Sequence, residues 1–249
     1  IWPFVTAVGI IVIFGAEIFS LRILVALGAL TLIGGLIGWH WPDPVAATAE
    51  ELAFERVHGL PVRPNGSRIV ARWAMNLMIL IIAIGLSSLL FSYFYIRFQQ
   101  PVWPPENIPM PGLFFVTLST LLFLASGGAM WWAQKSIARN QVGRLRLGLA
   151  GVFGLGAVAL GLLIYDFWQI NFTHEAHVYG SLYYLLHGVL VLLVMAGLIQ
   201  NGATQLWSWL GYYSDREHVA IGVTGSYWFA TILFWVIIVA TLYGSPHLL

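Results

Sequence analysis

Apolar residues fall in seven long runs, at approximately 2–19, 21–39, 70–97, 112–134, 145–168, 179–200 and 220–243. A hydrocarbon core of about 30 Å takes roughly 20 helical residues to cross, and each run approaches or exceeds that length. The runs show no period-two alternation. Backbone inside lipid must satisfy its own hydrogen bonds, so the pattern predicts transmembrane α-helices. Only Ser20-Leu21-Arg22 separates the first two runs, which predicts a tight antiparallel hairpin. The polar stretch 40–69 then interrupts the pattern before five more runs follow. The expected organisation is a two-helix hairpin (1–39), a linker (40–69) and a five-helix bundle (70–249), an all-α integral membrane fold of seven transmembrane helices. Within the linker, TAEELAFERV reads as a short helix in which Thr48 and Glu51 fit a capping box.

Composition agrees with the pattern. Of 249 residues, 59% are hydrophobic and 8% charged, against about 25% charged in a soluble domain. The net charge of +1 offers no field to draw nucleic acid. With no cysteine, disulfides, thiolate metal sites and cysteine nucleophiles are excluded. Arg56, Arg63, Arg68, Arg72, Lys135, Arg139, Arg144, Arg146 and Arg216 fall on one side of the seven-span arrangement, and only Arg22 and Arg97 on the other. That bias predicts a cytoplasmic amino terminus and an outward carboxyl terminus. Trp39, Trp41, Trp73, Trp103, Trp168, Trp207 and Trp209 lie near span ends, where interfacial anchors belong. Ile1 stands where a start Met is usual, as expected of a processed chain, an incomplete one or part of a longer polypeptide.

Candidate chemistry concentrates at 165–188, YDFWQINFTHEAHVYGSLYYLLHG. Asp166 ends the fifth span. His174, Glu175 and His177 follow in a loop and are of metal-ligating type, but a loop has no helical spacing to converge them on zinc or copper. His187 lies about 12 Å into the sixth span at 1.5 Å per residue. It reads as a neutral, hydrogen-bonded histidine between helices, with proton relay as the sharper alternative. Glu17 is within a turn of its span's end and can reach the interface. The third span is wholly apolar from Leu77 to Leu86. Ser126-Gly127-Gly128-Ala129 and the glycines of the fifth span are small enough for close helix approach. PVWPPENIPMPG has five prolines and reads as a rigid cap. The Asp215-Arg216-Glu217-His218 cluster sits where basic groups meet lipid phosphates, or simply starts a solvated helix. No nucleophile–base pair, phosphate loop or pair of axial histidines is visible, so no catalytic residue, metal or cofactor site is expected in the chain itself.

Four local patterns, in order, resemble subunit III of the haem–copper respiratory oxidases. WPPENIPMPG resembles that family's proline-rich loop, and STLLFLASGGAMWWAQ its Asn-Thr…Ser-Ser/Gly…Trp-Ala-His segment. YDFWQINFTHEAHVYGSLYYLLHG resembles its Glu-Tyr…Phe-Thr…Tyr-Gly-Ser…His-Gly segment, and His218 with Tyr227-Trp228 and Trp235 the start of its last helix. IWPFVTAVG and GWHWPDP…FERVHGLPVRPNGSR…ARWAM look like the matching part of fused subunit I–III polypeptides. On this resemblance Asp166 (for Glu), Tyr179, Gly180, Ser181, His187, Tyr227 and Trp228 are structural positions, with His218 also retained.

The resemblance implies a non-catalytic subunit of a proton-pumping oxidase that reduces oxygen to water, in a bacterial plasma membrane or an equivalent energy-transducing membrane. Haem and copper would belong to catalytic subunit I, with subunit II also a partner. A phospholipid-filled, V-shaped cleft would separate the hairpin from the bundle, and Trp39, His40, Trp41, Arg216 and His218 at its rim are the candidate headgroup ligands. The chain departs from the family pattern in several places. The family's glutamate in the third span aligns near Ile82, and its second histidine of the sixth span is Leu190. Ser119 and Gln134 replace Asn and His, and Tyr-Trp-His-Phe-Val-Asp reads Tyr227-Trp228-Phe229-Ala230-Thr231-Ile232. A quinol oxidase or nitric-oxide-reductase assembly is the neighbouring alternative. A solute transporter is the alternative from another class, although the broken helices and inverted repeats typical of transporters are not visible.

Overall fold

A computed structural model describes residues 1–39, 41, 49–59, 70–105, 108, 112–214 and 218–248. Every regular element among the described residues is helical. The chain divides into two compact units, Ile1–Ala49 and Glu50–Leu249.

The first unit is a hairpin of α1 (Trp2–Ile18) and α2 (Arg22–Trp39). The turn closes on a Leu21 amide to Ala16 carbonyl bond of 2.9 Å, with Ser20 at φ 56°. The two helices pack backbone to backbone because the seam lacks side chains. A Cβ at Gly9 would stand 2.5 Å from the Leu32 amide nitrogen, and one at Gly35 2.8 Å from that of Thr6. The outer faces carry exposed Phe4, Ile11, Phe14 and Ile23, which suit lipid and not water. Both helices are apolar but short, and the 17 residues of α1 reach about 26 Å. By length and composition five helices, not seven, are clear membrane spans, and these two sit at the lower limit of the range.

α3 (Ala49–His58) starts at the boundary of the two units, one residue from the position expected; Thr48 lies outside the described residues. The long helices of the second unit are α4 (Val70–Arg97), α5 (Phe114–Ile137), α6 (Val142–Trp168), α7 (Val178–Trp209) and α8 (Val219–Val239). A π-helical turn, Ala240–Gly244, continues α8 into α9 (Ser245–Leu248). Helices α5, α6, α7 and α8 pack in a closed ring, each against the next and α8 against α5, while α4 lies outside against α8. Lys135, Arg139, Arg144 and Arg146 gather with Arg72 at one end of this unit, hereafter the basic end, and Arg97 marks the other.

Trp228 sits at the centre of the ring, fully buried. Its indole nitrogen donates to Ser126 Oγ on α5 at 3.0 Å. Its ring occupies the space that a Cβ would take at Gly156 on α6 and at Gly197 on α7, 2.7 and 2.9 Å away. Phe123 stacks on Trp235, whose nitrogen donates to Thr120 Oγ1 at 2.9 Å. The ring thus seats Trp228 against glycine and serine and Trp235 against phenylalanine and threonine, and each of these indole N–H groups has a partner.

Two expectations change. α7 runs nine residues past the end its apolar run predicts, to Trp209. Gln200 and Asn201 look like a polar boundary in sequence, yet Asn201, Thr204 and Ser208 are buried on one helical face, and Thr204 meets Thr224 of α8 at 3.0 Å. Trp103 is not an interfacial anchor. It is 9% exposed and packs edge-on against Tyr93 and Tyr179, whereas Trp73, Trp168 and Trp209 are exposed as anchors should be.

Candidate functional site

The 165–188 stretch builds its site from three elements. Asp166 is on the last turn of α6, Tyr183 and His187 are one turn apart on α7, and Tyr243 comes from the π-helical turn. All four are buried. Tyr243 donates to Asp166 Oδ2 at 2.6 Å, Tyr183 donates to the Tyr243 oxygen at 2.7 Å, and His187 Nε2 lies 3.2 Å from that oxygen. The single Tyr243 proton points to Asp166, so the His187 contact requires imidazole to donate. The Nε2–H tautomer makes that contact, and Nδ1 is buried without a partner. His187 is therefore a hydrogen-bonded histidine between helices.

A second network adjoins it at the same end. Arg97 Nη1 donates to Ser245 Oγ at 3.1 Å, Ser245 pairs with the Tyr93 hydroxyl at 2.9 Å, and Trp103 Nε1 donates to Tyr93 at 3.0 Å. The segment 240–248 thus supplies a hydroxyl to each network. α8 can deliver both Tyr243 and Ser245 inward because the π turn shifts their register.

The Tyr179-Gly180-Ser181 motif secures the loop before α7. Ser181 Oγ donates to the His174 carbonyl at 2.6 Å, and a Cβ at Gly180 would lie 2.6 Å from the Thr173 carbonyl oxygen. Tyr179 packs on Trp103 and Phe172. His177 caps α7, its Nδ1 accepting the Tyr179 amide at 3.0 Å. His174 and Glu175 make an exposed pair at 3.6 Å. No group of three metal-ligating side chains occurs among the described residues. Tyr227 donates to the Leu193 carbonyl at 3.0 Å.

At the basic end, a half-open cavity of about 410 Å³ lies between α4, α5 and α8. Arg72, Asn76, Gln134, His218, Gly222 and Ser226 line it. Arg72 Nε and His218 Nδ1 are buried without hydrogen-bond partners. Beyond the end of α7, burial pushes the Tyr213 phenol up, with only partial opposition from Thr204. Of the candidate headgroup ligands, His218 lines this cavity and Trp41 is exposed. His40 and Arg216 lie outside the described residues, as does the Trp39 side chain.

Residues 1–245 match the family described as Cytochrome c oxidase subunit III. The chain belongs to this family. It is 24% identical over 253 residues to cytochrome c oxidase subunit 3 of Locusta migratoria, covering 97% of this chain and 92% of that one. The Drosophila melanogaster protein of the same name is 24% identical over 249 residues, covering 88% and 90%. The Arabidopsis thaliana protein is 28% identical over 146 residues, covering 57% and 54%. With five long apolar helices, this cytochrome c oxidase subunit III family chain is an integral membrane protein.

The family match accounts for the motif order read in the sequence. Sequence reasoning did not single out Tyr243, Ser245, Tyr93 or Arg72. The available signal was weak: a hydroxyl-bearing aromatic or a cation near the end of an apolar run, where an interfacial role is equally natural. Gln134 entered only as a replaced histidine, yet it donates to the Ile221 carbonyl at 3.4 Å and fills the space beside Gly225.

Proposed function

We propose that this chain is the accessory subunit of a proton-pumping terminal oxidase that reduces oxygen to water. It stabilises the catalytic subunit from within the membrane and holds structural phospholipid, and it binds no haem or copper of its own. Haem and copper belong to catalytic subunit I, with subunit II beside it. The observation that carries this reading is the family match across residues 1–245. The described interior supports it, being built of indoles, tyrosines, glycines and short hydroxyls that serve packing.

In this reading α1 and α2 cross the membrane like the other five, with the amino terminus cytoplasmic. Trp39, His40, Trp41, Arg216 and His218 are the residues that meet lipid headgroups in this reading. The membrane is a bacterial plasma membrane or an equivalent energy-transducing one. Purification through a tag on this chain in mild detergent, with a reduced-minus-oxidised spectrum and mass spectrometry of partners, tests the assignment. Co-purifying haem and an oxidase catalytic subunit are expected. A colourless sample lacking any catalytic subunit, under conditions that keep known oxidases intact, would overturn it. The spectrum and partner list also separate a cytochrome c oxidase from a quinol oxidase or a nitric-oxide-reductase assembly.

A further inference from the structure

Among the described residues, the cavity at the basic end is lined by no carboxylate and by one formal charge, the Arg72 guanidinium. Arg72 Nε–H is buried without a partner, and a buried unmet donor is costly, more so on a charged group. His218 Nδ1 is buried, equally unpartnered and on the same cavity wall. Gln134 spends one amide N–H on the Ile221 carbonyl and keeps its second, and the Asn76 amide stands on the α4 side. Ser226 donates to the Gly222 carbonyl, so its free lone pairs accept.

Two further features suit an anion. α8 begins at the cavity, and Gly222 lies in its first turn, where the helix presents positive partial charge. A Cβ at Gly222 would stand 3.3 Å from Arg72 Nη2, so a larger residue there would press on the guanidinium. The volume of about 410 Å³ is within the usual range for a small ligand group.

We propose that this cavity binds a phosphate group, held by the Arg72 guanidinium with His218 Nδ1–H, Asn76 and Gln134 as neutral donors. A phospholipid headgroup and free inorganic phosphate present the same chemistry to these donors. The proposal extends the reading of His218 as a headgroup ligand, and it does not need the partner to be an oxidase. It makes Arg72 on α4, and not Arg216, the principal cation.

The test uses the intact complex purified in mild detergent, wild type against Arg72→Gln, Ser226→Leu and, as a control on the exposed surface of the same end, Arg139→Gln. Native mass spectrometry reads retained phospholipid. Thermal unfolding with added inorganic phosphate, or with short-chain phosphatidylglycerol, reads binding directly. Loss of one charge-assisted contact should weaken phosphate-group binding by about tenfold or more. Ser226→Leu, which fills the cavity and keeps the charge, should do the same, and Arg139→Gln should do neither.

Lipid lost from both cavity variants supports the headgroup as source. Stabilisation by inorganic phosphate, present in wild type and absent from both cavity variants, supports free phosphate. Equal behaviour of wild type and the cavity variants in both assays overturns the proposal. So does a loss in Arg72→Gln alone, because the charge would then act elsewhere. The catalytic subunit's presence in the same preparations is read separately, so failure of this site and failure of the proposed function remain distinct.

Discussion

At the residue scale, Tyr243 joins three elements through one oxygen. It is buried among Asp166, Tyr183 and His187 and partners a polar atom of each. Tyr243→Phe strands a buried carboxyl, a phenol and an imidazole, and should cost about 2–4 kcal/mol, read as a lower thermal midpoint in detergent. Adding Asp166→Leu removes the worst of the stranded groups, so the double variant should lose less than the sum of the singles; strict additivity would rule out the coupling. Trp228 offers a steric test. Gly197→Ala places a methyl group against the indole and should cost about 1–3 kcal/mol. Gly154→Ala, where nothing lies within 4 Å, should be neutral or slightly stabilising. These partnerships were hidden in the sequence because partners lie far apart along the chain: Tyr243 is 77 residues from Asp166 and 56 from His187. The Tyr-Gly-Ser motif was legible since its contacts are local, His174 being seven residues from Ser181.

At the element scale, helix starts were readable to within a few residues and helix ends less so. The exit of α5 depends on Asn140 at φ 54°, with the Gln141 amide bonded back to the Ser136 carbonyl at 2.9 Å. Asparagine tolerates this left-handed position, and a β-branched residue does not. Asn140→Gly should therefore leave thermal stability nearly unchanged, whereas Asn140→Val should lower it by about 1–2 kcal/mol. The late end of α7 escaped the pattern because hydropathy ranks Asn201 as a boundary residue, and only the ring shows that Asn201 faces inward. The π turn has no sequence signal at all. It shifts the register so that Tyr243 and Ser245 each bring a hydroxyl inward to its own network.

At the scale of the whole molecule, the separation of Lys and Arg was legible in one dimension and needs a test in three. The chain has no cysteine, so single thiols can be placed without background. Arg139→Cys at the basic end should react with a membrane-impermeant maleimide only in inverted vesicles, and Gln100→Cys at the opposite end only in intact cells. The reverse pattern would refute a cytoplasmic basic end. Motif order was readable because it follows the chain, whereas the seam of Trp228 against Gly156 and Gly197 joins three helices far apart in sequence. The C-terminal hydroxyls also impose a timetable on biosynthesis. Tyr93 precedes Ser245 by 152 residues, so α4 leaves the ribosome and enters the bilayer long before its partner has been translated. Until then Tyr93, Arg97, Asp166 and His187 must rely on interfacial water or a chaperone, and a nascent chain halted before residue 240 should be recognised by quality-control proteases as unfinished.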